Sequence, residues 1–213
     1  LIKDVNLNLF DFVSLADQDD IWLPNKLSRA VEIIKNKKLE GYSSNVVAFW
    51  KDGREKLIKK SSSQKKFDYF FESGGPGCTY VFKRNSIQKF KKFLIKNWSL
   101  VNEVESHDWL IYAYFRSLSM LWHIDKTPSM YYRQHKNNQV GANLNWKAHL
   151  YRLQKINSGW YRREVQRIVN LLKPHAYETI VLNRLFLIFN FHKLRRRLKD
   201  ALVFLIINIF GFF

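Results

Sequence analysis

The first half of the chain alternates short apolar runs with helical spacing. Phe10 to Ala16 (FDFVSLA) is apolar but for one Asp and one Ser, the pattern of a buried strand. Pro24 stands where a helix can begin, because its missing N–H costs nothing in a first turn. Leu27, Ala30, Val31 and Ile34 then recur at helical steps. Asn45 to Trp50 predicts a second strand, and Lys51-Asp52-Gly53-Arg54 a turn. Residues 59–66 (KKSSSQKK) have no apolar period and predict a surface loop. Gly74-Gly75-Pro76-Gly77 is the densest cluster of chain-breaking residues and leads into a third strand, Cys78 to Phe82. A basic helix follows over Ser86 to Trp98, with Ile87, Phe90, Phe93, Leu94 and Trp98 on one side. Another starts near His107-Asp108.

The pattern changes after about residue 145. Leu150, Leu153, Ile156 and Trp160 recur at three- and four-residue steps, as on an amphipathic helix. Ser158-Gly159 interrupts the period, Val165, Ile168, Leu171 and Leu172 resume it, and Pro174 ends it. A last helical stretch is expected from about Tyr177 into Ile209. It carries Lys193, Arg195, Arg196, Arg197 and Lys199, and it runs into ALVFLIINIFGFF, where only Asn208 is polar. Thirteen residues are too few to span a bilayer, which takes about twenty. A basic cluster beside a Phe-rich end suits a helix lying in the interface of an anionic membrane. The plainer reading is a helix packed on its own domain or on a partner. Two regions are therefore expected: an α/β domain over 1–145, and a basic helical extension over 146–213.

The chain has 213 residues, 46% hydrophobic and 25% charged, enough for a real core. Lys and Arg number 36 against 18 acidic residues, and a formal charge of +18 needs an anionic partner. A single cysteine, Cys78, excludes an internal disulfide and fits a reducing compartment. The chain opens at Leu1 rather than Met and shows no secretory signal, so it is expected to lack its true N-terminal start.

Three polar clusters could carry chemistry. Asp17-Gln18-Asp19-Asp20 closes the first strand. In extended backbone Asp17 and Asp19 would project together and Asp20 elsewhere. Two carboxylates at a strand's carboxyl end suit Mg²⁺ or Mn²⁺ holding a phosphate. Equally, the cluster is an acidic turn that caps the next helix at Asp20. His107-Asp108-Trp109 is either a helix start or a general base flanked by His and Trp. Tyr132 to Asn138 (YRQHKNN) is a polar loop, either plainly solvated or a metal and phosphate site through His135. The remaining histidines, His123, His149, His175 and His192, lack zinc-ligand spacing, and no GxxxxGK[ST], GxGxxG or GxSxG element occurs.

Taken in order, LADQDDIWLPNKL, GPGCTYVFKRN, SHDWLIYAYF and YRQHKNNQVGAN resemble the bacterial family 2 glycosyltransferases, in their rhamnosyltransferase-like branch. The resemblance covers about residues 10–145, and DQDDIW with YRQHKNN in this order is fairly specific. It implies a partial GT-A, Rossmann-like nucleotide-diphospho-sugar transferase fold without the N-terminal segment that grips the nucleotide. It further implies that Asp19 and His135 bind the metal, and that Asp17, Asp19, Trp22 and Lys26 shape the donor site. Asp108 would be the catalytic base, and Trp109, Gly75, Gly77 and Cys78 would lie on the acceptor side. The expected partners are a nucleoside-diphosphate sugar such as dTDP-rhamnose, a lipid-linked saccharide acceptor and an anionic membrane surface, without nucleic acid. The implied place is cytoplasmic, on the inner face of the cell membrane, in cell-surface polysaccharide synthesis. Two other readings stand beside it. One is a non-catalytic basic module that binds membrane or nucleic acid. The other is a metal phosphohydrolase, which would want a second metal site or a nucleophile.

Overall fold

The computed structural model describes residues 1–134, 158–178, 180–211 and 213. They fall into two units that interleave along the chain. The first gathers Leu1–Ser61, Gly74–Trp98 and the described residues from Ser119 to Gln134. The second gathers Ser62–Ser73, Ser99–Leu118 and the described residues from Ser158 onward. The expected division at 145/146 lies outside the described residues, as does the helix expected to begin at Trp146.

The first unit is mixed α/β. Its strands are β1 (Phe12–Ser14), β2 (Ile21–Trp22), β3 (Gly41–Ser44), β4 (Val46–Phe49), β5 (Glu55–Ile58), β6 (Val81–Lys83), β7 (Trp122–Asp125) and β8 (Met130–Arg133). They form two open sheets, ordered β1-β6-β3-β7 and β2-β8-β4-β5. The β3–β7 and β4–β8 pairs are parallel and the others antiparallel. Asn45 is the seam where β3 passes into β4. Its N–H donates to the Asp125 carbonyl, and its carbonyl accepts from Ser129 N–H. Its side chain accepts from Lys60 N and Ser61 N and donates to the Lys126 carbonyl. A buried asparagine that meets five backbone groups can turn a strand without orphaning its polar groups.

Helix α1 (Lys26–Asn36) starts two residues after Pro24 and ends where Lys38 takes a left-handed φ of 53°. Ala30 and Ile34 pack with Leu39, Tyr42 and Val81 in one core cluster, as the helical spacing predicts. Leu27, however, is exposed, and Lys26 is buried in its place. Helix α2 (Arg84–Lys96) buries Ile87, Phe90, Phe93 and Leu94. Gly41 admits no side chain, because an added Cβ would land inside the Trp122 ring of the neighbouring strand. The third strand begins later than its pattern suggests. Thr79 turns back to the Pro76 carbonyl through both its N–H and its hydroxyl, so Gly77–Thr79 is a 3₁₀ turn and pairing starts at Val81.

The second unit is helical: α3 (Trp98–Val101), α4 (His107–Ser117), α5 (Trp160–Leu172), α6 (Arg184–Phe189), α7 (Phe191–Leu194) and α8 (Leu198–Ile209). The single stretch expected from Tyr177 to Ile209 is thus broken into three helices. Asn183 caps α6, its Oδ1 accepting from Phe186 N at 2.7 Å. Between α7 and α8, Arg195 is extended and donates to the Phe71 carbonyl and Tyr161 hydroxyl. Arg196 is buried and paired with Asp68 and Glu72. Two arginines expected to face a membrane therefore fasten the chain to its own unit.

Candidate active site

The Asp segment is a bend between β1 and β2, not extended backbone. Gln18 and Asp19 form a turn, so residues two apart no longer share a direction. As a result Asp20, expected to point elsewhere, turns inward. Ligand atoms of Asp17, Asp20 and Cys78 lie within 4.8 Å of one another, and Asp19 falls outside that trio. The β2–β8 pairing sets Trp22 against Met130 and Ile21 against Tyr131. Next along β8, Arg133 donates its N–H to Asp20 Oδ1 at 3.0 Å and its Nε to the Asp19 carbonyl at 2.8 Å. The tyrosine and arginine of the YRQH element thus lie beside the Asp bend. His135 lies outside the described residues.

Lys26 and Trp22 close another side of the bend. Lys26 Nζ sits 3.5 Å from the Trp22 ring centroid and donates to the Cys78 carbonyl at 2.7 Å. Burial lowers its pKa from 10.5 to about 8, against the pull of the carboxylates of Asp20 and Asp17. Burial also raises the Asp20 carboxyl above its ordinary range. The same cause pushes the Cys78 thiol far up, so it stays protonated beside Asp20. Cys78, expected on the acceptor side, is set by the 3₁₀ turn against the Asp bend. Gly75, at φ +139°, and Gly77 belong to the loop that delivers it. That loop is held by Ser43 Oγ on the Gly74 carbonyl and the Tyr80 hydroxyl on the Gly75 carbonyl.

These donors fit a hard divalent cation. Asp20 Oδ2 is buried without an N–H or O–H partner among the described residues, and the Asp17 carboxylate is exposed nearby. Two carboxylate oxygens suit Mg²⁺ or Mn²⁺, whereas a protonated thiol adds no ligand for them. Asp20 rather than Asp19 is the carboxylate that such an ion would meet together with Asp17.

No family model matches the chain. It is 44% identical over 218 aligned residues to the dTDP-rhamnosyl transferase RfbG of Shigella flexneri, an alignment covering 99% of the chain and 75% of that longer protein. The chain belongs to the rhamnosyltransferase-like glycosyltransferases.

In this glycosyltransferase the remaining expected residues fall in the helical unit. Asp108 stands in the first turn of α4, half-buried, and its Oδ1 accepts from Trp109 N at 2.7 Å. The start of α4 is anchored by the fully buried Glu164, whose Oε1 accepts from Ser106 N at 2.8 Å. Trp109, expected at the acceptor, is a core residue. Its ring stacks on Tyr161 at 5.7 Å, and its Nε1 is spent on the Tyr69 carbonyl at 2.9 Å. Nearly every residue of α4 from Trp109 to Ser117 is buried, which leaves only its first turn to offer chemistry. Two features had no legible trace: the clamp of Arg133 on Asp19 and Asp20, and the thiol of Cys78 beside Asp20. Both depend on pairings more than fifty positions apart.

Proposed function

We propose that this glycosyltransferase is a GT-A-type, inverting, metal-dependent enzyme. It transfers rhamnose from dTDP-rhamnose to a hydroxyl of a lipid-linked saccharide in cell-surface polysaccharide synthesis. The observation that carries this reading is the 44% identity, over nearly the whole chain, to a protein named as a dTDP-rhamnosyl transferase. The Asp bend supplies a place for the donor's diphosphate.

When bound at Asp17 and Asp20, Mg²⁺ or Mn²⁺ would offset the negative charge that gathers on a diphosphate leaving group. Arg133 holds the bend, so the direction of Asp20 is set before the donor arrives. Lys26, stacked on Trp22, adds a fixed positive charge behind the carboxylates. Asp108 takes the proton of the acceptor hydroxyl as that oxygen bonds to the anomeric carbon. The sugar–phosphate bond breaks on the opposite side, and dTDP departs with its electron pair. One base and no nucleophilic carboxylate give inversion at the anomeric carbon.

The test is transfer from dTDP-rhamnose with Mn²⁺, with EDTA, and in Asp108→Asn. The expected result is loss of turnover in EDTA and a fall of about 10²–10⁴-fold in Asp108→Asn. Wild-type turnover in that variant removes Asp108 as the base. A product of retained configuration removes the inverting mechanism.

A further inference from the structure

Helix α8 is apolar on its outer as well as its inner face. Ala201, Phe204 and Asn208 face their own unit and are buried, so Asn208, the one polar residue of the final apolar segment, lies inside. The opposite face carries Leu198, Leu202, Val203, Ile206 and Ile209, with Phe210 just beyond, each between 44% and 69% exposed. At 3.6 residues per turn these six fall within an arc of about 140°, and Lys199 is the charged residue among them. An ordinary surface helix turns charged and polar residues outward. Helix α6 adds Leu185 and Phe189, one turn apart and 68% and 74% exposed. Arg184 donates to the carbonyls of Asn208 and Ile209, which fixes the start of α6 against the end of α8. The exposed apolar side chains of the two helices are thereby held in one part of the unit.

Charge and length select the occupant. Residues 158–213 hold ten Lys and Arg against three acidic residues. Arg195 and Arg196 are engaged within the unit, whereas Arg197 and Lys199 are exposed at the beginning of the apolar face. A cationic edge on an apolar face complements a layer of anionic headgroups. A second copy of the same face would bring the same cations to the contact. Twelve residues make about 18 Å of helix, short of the roughly 30 Å of a hydrocarbon core. No described helix is long and apolar enough to cross a membrane. We propose that α8, with Leu185 and Phe189 of α6, lies in the plane of an anionic bilayer surface, its apolar arc among the headgroups and Arg197 and Lys199 on the phosphates.

The inference does not depend on the transferase reading and is tested without it. The full chain is floated with vesicles of phosphatidylcholine alone, or with one third phosphatidylglycerol. Wild type is expected to float with the anionic vesicles and to fall off as salt rises. Val203→Glu with Ile206→Glu is expected to abolish flotation, and Arg197→Gln or Lys199→Gln to weaken it about fivefold each. Ile206→Trp is expected to show a blue shift of emission on the anionic vesicles. Undiminished flotation of the double glutamate variant overturns the proposal, as does flotation of Ile206→Trp without a shift. A chain that ignores vesicles and forms a dimer dissolved by the same two glutamates also overturns it, and makes α8 a protein interface.

Discussion

The backbone N–H of Arg133 donates to the carboxylate of Asp20 at 3.0 Å across 113 positions of sequence. The same residue's Nε reaches the Asp19 carbonyl, so β8 holds the Asp bend by one bond that any residue but proline could make and one that needs a guanidinium. Arg133→Met keeps the first and loses the second. We expect the bend to loosen without unfolding. Half-saturation by Mn²⁺ should rise about tenfold, the size of effect seen when a group supporting a metal ligand is removed, with little change in thermal midpoint. A Mn²⁺ titration of transfer activity beside a melting curve checks both parts.

Asp19 and Asp20 should separate sharply in function. Asp20 lies with Asp17 around one point, whereas Asp19 stands outside that cluster and reaches Asp20 through its charge. Asp20→Asn is therefore expected to abolish Mn²⁺-dependent transfer. Asp19→Asn should retain transfer, with metal affinity weakened about tenfold. The reverse order of severity, in the same titration, would restore the assignment that extended backbone implies.

Lys26 imposes a pH dependence on stability with a definite sign. Its pKa is about 8 in the folded chain against an ordinary 10.5, because burial disfavours the charged ammonium. Below pH 8 the folded state carries the full cost of that buried charge. Between about pH 8 and 10.5 the unfolded chain binds more protons than the folded one, so this group makes stability rise with pH. Lys26→Met removes that term. In urea unfolding at pH 7 and pH 9.5, the variant is expected to lose stability relative to wild type as pH rises, whatever its absolute stability. Parallel pH profiles would place the titration of Lys26 outside this window.

How much of this was legible in the sequence depends on the range of the contact. Ala30 and Ile34 were readable as core because helical period is a local property, and the first strand and α2 were readable for the same reason. The burial of Lys26 in place of Leu27 was not, since a periodicity argument places every lysine outward. The sequence does not encode the ring of Trp22 and the carbonyl of Cys78 waiting for it in any local pattern. Asp20 rather than Asp19 stands with Asp17 because Gln18 and Asp19 form a turn, a backbone conformation that residue types only bias. The basic run around Arg196 looked like a surface feature because its partners, Asp68 and Glu72, stand more than 120 positions earlier.

Those partners set up the last expectation. Asp68 has no exposed side-chain surface, and it meets Arg196 at 3.1 Å and Arg116 at 3.4 Å while Tyr112 donates to it at 3.0 Å. Removing one cation leaves a buried carboxylate short of compensation, which costs far more than the intact pair contributes. Arg196→Met is expected to lower stability by about 3 kcal/mol, near the bottom of the usual range because Arg116 remains. Asp68→Asn with Arg196→Met should cost less than the two single changes together, by at least about 1 kcal/mol. Urea unfolding of the four proteins closes the cycle, and additive costs would show that the pair is not coupled. Arg196 is also the last anchored residue before α8. Its loss should therefore raise amide exchange in α8 ahead of the buried residues of α4, because the final helix would open without unfolding the rest of its unit.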